Sequence, residues 1–250
     1  MLNFSSIKKD GVLGRLLRAP LRLVPLNREF PILQGRLRGR KWVTGSGGNH
    51  GYWLGSYELE MQRSFCKMIG CGSVVYDIGA NVGFFSLLAS ELSGPDGKVF
   101  SFEPSPENMM CLKRHAGINH CRNIVPVEAA VSDRDGQDFL GTQINSAESG
   151  LSPAGTVKVK TVTLDNFCFT QKNDIPTHIK IDVEGNELAV FYGARKLFSD
   201  FSPVVFLETH GRSLHEQCCH FLKEMGYKVF SLDKKKPVEE AHAVMARKEN

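Results

Sequence analysis

Long apolar runs are missing from this chain: none approaches the roughly 18 residues that a transmembrane helix needs. The N-terminus also lacks a continuous apolar core ahead of a small-residue cleavage site, so the reading is a soluble protein of the cytoplasm. Metal and disulfide frameworks are missing too. The seven cysteines (Cys66, Cys71, Cys111, Cys121, Cys168, Cys218 and Cys219) are odd in number, contain no CxxC pair and have no zinc-like spacing. They read as thiols in a reducing compartment. No internal repeat or low-complexity tract is present, which excludes solenoids and fibrous chains. What is left is a 250-residue chain, long enough for one substantial α/β core with appendages.

Acidic residues are scarce at one end. Residues 1 to 41 hold ten Lys or Arg against only Asp10 and Glu29, so this segment carries +8 in a chain whose net charge is +4. A basic arm on a mildly acidic body can meet an anionic membrane, a nucleic acid or an acidic substrate, or can be a solvated face. Within the arm, "GVLGRLLRAPLRLV" suggests a short helix interrupted by Pro20, a weak candidate for peripheral membrane contact. "PILQGRLRGRKWVTGSGG" alternates apolar and basic residues between glycines and predicts an antiparallel ribbon.

From residue 59 onward strand and helix signals alternate at βαβ spacing. "SVVYDIG", "KVFSFEP" and "IVPVEAAVS" are predicted strands, separated by helices "GFFSLLASEL" and "SPENMMCLKRHAGIN". Ser105 before Pro106 marks the start of the second helix. Residues 136 to 165 interrupt the alternation with an excursion that ends in "KVKTVTLD". Strand "THIKIDVEG", helix "NELAVFYGARKLF", strand "PVVFLETH", helix "SLHEQCCHFLKEMG" and two final strands follow. The expected fold is a doubly wound, mostly parallel Rossmann-like α/β sheet with helices on both faces, over 59 to 250, preceded by a basic extension over 1 to 58.

In such a sheet the ligand lies beyond the carboxyl ends of the strands. The first turn reads D-x-G-x-N-x-G (Asp77, Gly79, Asn81, Gly83), not the G-x-G-x-x-G of a dinucleotide site. Asp77 would repel a pyrophosphate, but it suits a ligand ammonium. Glycines at 79 and 83 would let the backbone approach, and the following helix offers N–H groups to a carboxylate. Glu103 ends the second strand 20 residues after Gly83, where an acid commonly accepts from ribose hydroxyls. A ligand with an amino acid, a ribose and no phosphate is S-adenosylmethionine. Asp77, Gly79, Asn81, Gly83, Glu103, Ala130 and Asp182 form the candidate cofactor group.

"DIGANVGFFS", "FEPSP", "TVTLD", "IKIDVEGNE" and "LETHG", in that order, resemble the FkbM family of S-adenosylmethionine-dependent methyltransferases over about residues 50 to 232. The resemblance implies a seven-stranded class I methyltransferase fold and methyl transfer to a hydroxyl on a sugar or glycan, a lipid or a natural product. "GSYELE" is similar to a family segment that tends to lie over the cofactor, so Tyr57 and Glu58 are candidate lid residues.

In "HIKIDVEGNE" strand alternation places Lys180, Asp182 and Glu184 on one side and Ile179, Ile181 and Val183 on the other. Charges on an inner strand are costly unless they reach the open end of the sheet or pair with one another. "FLETH" brings Glu208 and His210 to the neighbouring strand tip. An attacking alcohol needs a base, for which Asp182, Glu184 and His210 are candidates, with Lys180 beside them. Tyr52, Trp53 and Tyr57 can offer ring faces to a cation or sugar, or serve as core anchors. A metal is not expected, since Lys180 already supplies positive charge; the alternative is Mg²⁺ on Asp182, Glu184 and Glu208. Two rival functions are a nucleic-acid methyltransferase using the basic arm, against which the chain has "DVEG" where N-P-P-Y is expected, and a non-catalytic nucleoside-binding module. Nucleic acid is therefore not an expected partner.

Overall fold

The computed structural model describes residues 24–141, 155 and 157–249. The expected helix at 12–19 and residues 142–154 and 156 of the expected excursion lie outside the described residues. A seven-stranded sheet forms the centre, in the order β11-β12-β10-β9-β3-β4-β5. Its strands are β3 (Val74–Ile78), β4 (Lys98–Phe102), β5 (Ile124–Val127), β9 (His178–Ile181), β10 (Val204–Glu208), β11 (Lys228–Ser231) and β12 (Ala243–Arg247). Every pairing is parallel except those of β12, which runs antiparallel to both β10 and β11.

Each strand alternates between two cores. Tyr76, Ile78, Phe100, Phe102, Ile179 and Ile181 face one, which is closed by α5 (Glu187–Tyr192), α6 (Arg195–Asp200) and α7 (Arg212–Glu224) through Phe191, Phe198 and Phe221. Val75, Val99 and Phe206 face the other, packed under α2 (Leu59–Met68) and α3 (Phe84–Ser93). Burial of both faces explains the near-continuous apolar strands. The N-terminal ribbon, β1 (Glu29–Pro31) against β2 (Lys41–Val43), and the short helix α1 (Gly51–Leu54) add Trp42, Tyr52 and Trp53 to this second core. Helix α4 (Pro106–Ile118) starts as its sequence predicts: the Ser105 hydroxyl accepts from the Asn108 N–H, and Pro106 occupies the first turn.

Three departures from the sequence pattern have local causes. "IVPVEAAVS" is not one strand: β5 ends at Val127, and β6 (Ala130–Val131) joins β7 (Gly136–Leu140) and β8 (Val157–Val162) in a separate three-stranded sheet. "NELAVFYGARKLF" is two helices: the backbone leaves the helical region at Gly193 (φ -77°, ψ 2°) and Ala194 (φ -128°, ψ 16°), and a Cβ at 193 would come to 2.0 Å from the Ser132 carbonyl. Helix α2, with Leu59, Met61 and Phe65 buried on one side, had no counterpart in the reading of the sequence. Among the described residues no helix is long and apolar enough to cross a membrane.

The chain runs outward from β3 to β4 and β5, then crosses back to β9 and β10 on the other side of β3. The order reverses between β3 and β9, and a crevice opens beyond their carboxyl ends.

Candidate active site

A cavity of about 260 Å³ occupies that reversal. Its wall includes Asp77, Gly79, Asn81, Glu103, Ala130, Lys180, Asp182 and Glu184 from the sequence candidates, with Tyr52 and Tyr57 above. Gly83, Glu58, Glu208, His210 and Trp53 are not part of the wall.

On the β3–β4 side the carboxylates are fixed by neutral donors. Asp77 is fully buried; its Oδ2 accepts from the Ser86 hydroxyl at 2.6 Å, which in turn accepts from the Ser101 hydroxyl at 2.8 Å. Its Oδ1 is shielded and has no hydrogen-bond partner. Burial pushes the Asp77 pKa up, against the lowering by Lys180 and Ser86. Glu103 accepts from the Asn81 N–H and the Ser105 N–H, each at 2.8 Å, and burial still lifts it to about 7.

The two motif glycines do not clear space for a ligand as the sequence suggests. Gly79 has φ 76°, and a Cβ on it would lie 1.8 Å from the Asp182 carbonyl; Gly83 has φ 89° and would press a Cβ to 2.9 Å from Leu112. Both serve the left-handed turn and the close packing of the chain on itself. Asn81, also left-handed at φ 50°, uses its side chain to accept from the Val82 N–H at 2.7 Å.

His115 was missed by the sequence reading. Its ring stacks on Trp42 at 3.8 Å, donates through Nδ1 to the Val82 carbonyl at 2.8 Å and accepts at Nε2 from the Val43 N–H at 3.1 Å. Burial lowers it to about 4, so the ring is neutral and ties the ribbon to the motif turn. Nothing in the local sequence marks it, because its partners are 33 and 72 residues away.

On the β9–β10 side charges balance charges. Lys180, 2% exposed, lies beside Asp77 in the strand register and reaches Asp182 at 2.9 Å, with the Phe85 ring 5.1 Å beneath. Burial alone would lower the Lys180 pKa, but Asp182, Asp77 and Glu58 together drive it upward. His210 places Nδ1 at 2.8 Å from Glu187 and Nε2 at 3.2 Å from Glu184 and 3.9 Å from Asp182. The Glu187 bond raises its pKa to about 9 despite burial, with Glu184 and Asp182 adding to the rise. Ligand-capable atoms of Asp182, Glu184 and His210 lie within 4.8 Å of one another, as do those of Glu58, Asp182 and Glu208. The trio Asp182, Glu184 and Glu208 taken from the sequence is thus split between two clusters that share Asp182.

Tyr57 and Tyr52 lie ring to ring at 4.3 Å over Phe84, while Trp53 is a core anchor whose Nε1–H donates to His50.

The residues on the β3–β4 side fit S-adenosylmethionine: a buried Asp77 oxygen without a donor can take an ammonium, and Glu103 retains lone pairs for ribose hydroxyls. Comparison with known proteins bears on the same residues. The model of the methyltransferase FkbM domain matches residues 77–229. The hexuronic acid methyltransferase AglP of Haloferax volcanii is 26% identical over 140 residues, covering 55% of this chain and 56% of that protein, so the chain spans little more than half the relative's length. The crystal structure of methyltransferase FkbM from Methylobacillus flagellatus superposes with a TM-score of 0.52 at 17% identity, over 70% of this chain and 43% of that one, and shares the fold. With its family match running from Asp77 through both strand tips of the site, the chain belongs to the FkbM methyltransferase family.

Proposed function

We propose that this protein transfers a methyl group from S-adenosylmethionine to a hydroxyl oxygen of a sugar or glycan acceptor, with S-adenosylhomocysteine as the other product. The observation that carries the reading is the placement of Asp182, held by Lys180, on the same cavity as Asp77 and Glu103. The relative that acts on a hexuronic acid supports a glycan over a lipid or another natural product.

When bound, the cofactor supplies an electrophilic methyl on a sulfonium. Methyl transfer from it would exchange the C–S bond for a C–O bond on the acceptor oxygen and would release the hydroxyl proton, which a base of this chain must take up. Asp182 is that base: Lys180 binds its Oδ2 and fixes the carboxylate, while Oδ1, 3.9 Å from the His210 Nε2, takes the proton. His210, raised to about 9 between Glu187 and Glu184, is protonated at neutral pH and contributes charge. Lys180 and His210 supply the positive charge a metal would bring, so the reaction runs without one. Tyr52 and Tyr57 offer aromatic faces to the acceptor and help exclude water.

The test is incubation of the purified protein with methyl-labelled S-adenosylmethionine, excess chelator and a panel of neutral and acidic glycosides, followed by mass spectrometry. Acid- and base-stable methyl ethers on a sugar hydroxyl are expected. Base-labile methyl esters would replace the hydroxyl by a carboxylate, and activity only with added divalent metal would overturn the metal-free mechanism.

A further inference from the structure

Positive charge gathers at the β5 edge of the sheet. The ribbon and the loop joining its strands expose Arg28, Arg36, Arg38, Arg40 and Lys41, and α4 with the turn after it adds Arg114 and Arg122. Acids are few on these elements. Glu29 pairs with Lys41 at 3.1 Å, Glu107 lies in the first turn of α4, and Glu91 of α3 serves both Arg40 and Arg36. Arg28, Arg38, Arg114 and Arg122 have no ion pair among the described residues. Ribbon and helix form one surface: Arg114 donates to the Asn27 side chain at 2.5 Å, and Lys41 and Asn119 exchange two hydrogen bonds of 2.8 Å.

Apolar side chains stand among these cations. Leu26, Leu33 and Met110 are 70%, 47% and 67% exposed, and every large aliphatic side chain so exposed among the described residues belongs to the ribbon segment or α4. Met110 lies one helical turn before Arg114, and Leu26 precedes the Asn27 that Arg114 binds, so the two flank one arginine. A face that only meets water gains nothing from them, whereas a lipid headgroup layer takes up aliphatic side chains and pairs with the arginines beside them.

We propose that the ribbon and α4 form a docking surface for an anionic membrane, with the arginines on lipid phosphates and with Leu26 and Met110 entering the headgroup layer. Charge complementarity selects the partner. Residues 1 to 41 carry +8 and the rest of the chain is negative on balance, so a negative surface orients the molecule with this face toward it. The aliphatic side chains select lipid over nucleic acid, whose binding faces offer rings on which bases stack. The exposed rings, Phe139, Tyr192 and Phe201, belong to neither the ribbon nor α4. Membrane contact through a single weak signal is marginal, and here cations and apolar side chains supply two on one face.

The surface borders the cavity. A Cβ on Gly45 would meet Leu26 at 3.0 Å, two residues before Gly47 of the cavity wall, and Met110 follows Asn108 of the wall by two residues. The docking itself does not depend on which acceptor is methylated.

The experiment is co-sedimentation of the full chain with vesicles of phosphatidylcholine alone or mixed equally with phosphatidylglycerol, at about 0.05 M and about 0.5 M salt. Binding to the mixed vesicles is expected, with a loss of about tenfold or more at high salt or without the anionic lipid. Arg38→Gln combined with Arg122→Gln should weaken binding by about tenfold or more, at near fivefold for each cation removed. Leu26→Ser combined with Met110→Ser should weaken it by about fivefold. Lys234→Gln combined with Lys235→Gln, exposed beyond β11 at the opposite edge of the sheet, should stay within about twofold of wild type. Melting temperatures equal to wild type show that these surface variants are folded. No binding to the mixed vesicles, or an equal loss in the Lys234 and Lys235 variant, would overturn the surface. Unchanged binding after loss of Leu26 and Met110 would overturn their entry into the headgroup layer. A single-stranded oligonucleotide held more tightly than the vesicles would give the face to nucleic acid and overturn the proposal.

Discussion

The two sides of the cavity hold their acids by different means. At the tips of β3 and β4, Asp77 and Glu103 are bound by hydroxyl and backbone N–H donors that keep their charge at any pH. At the tips of β9 and β10, Asp182, Glu184 and Glu187 are bound by Lys180 and His210. Neutral donors do not themselves change charge, so on that side only the acids titrate, with Glu103 lifted to about 7. Ion pairs give a geometry whose charge can shift during a reaction, which suits proton transfer. The buried ammonium of Lys180, next to Asp77 in register and bonded to Asp182, joins the two sides.

Substitutions can separate the halves. Asp182→Asn should have the largest effect: methyl transfer falls by about 10²–10⁴-fold, the usual contribution of a positioned base, while S-adenosylhomocysteine binding changes far less. Single-turnover rates and calorimetry on the same preparation check this, and equal losses of both would dissolve the distinction. Gly79→Ala should damage the halves together. Its Cβ would meet the Asp182 carbonyl at 1.8 Å from a backbone at φ 76°, so thermal unfolding should show at least about 1–3 kcal/mol of destabilisation.

The ionic half should also respond to pH in a window of its own, above the one in which Glu103, lifted to about 7, titrates. His210 has a folded pKa raised to about 9, above an unfolded value of about 6.5. Its stabilisation is fully present below about 6.5 and is lost as pH rises through about 9. His210→Asn should flatten the fall in melting temperature over that window. His115 has the opposite sign: held down to about 4 by burial, its contribution is lost as pH falls from about 6.5. His115→Gln should flatten the acid side instead. Arg40→Ala, which removes an exposed pair with Glu91, neither of them in the cavity wall, should change stability by no more than about 1 kcal/mol.

Much of this was legible in the sequence because it is contiguous. The turn from Asp77 to Gly83 and the run from Lys180 to Glu184 carry their own spacing, and strand alternation predicts which side chains meet the crevice. The sheet was legible for the same reason. What the sequence hid depends on distant neighbours. The need for glycine at 193 follows from the Ser132 carbonyl, the anchoring of His115 from Val82 and Val43, and the meeting of Glu58 with Glu208 from contacts 150 residues apart in the chain. The reason for the motif glycines was hidden too, since the atom that excludes a side chain at Gly79 belongs to the neighbouring strand tip.

The most direct test is calorimetric titration of S-adenosylmethionine into wild type and Glu103→Ala. The account predicts binding by the wild type and a loss of about tenfold or more in the variant, the cost of at least ~1.4 kcal/mol from the removed ribose acceptor and its two N–H partners. Failure of the folded wild type to bind would contradict it.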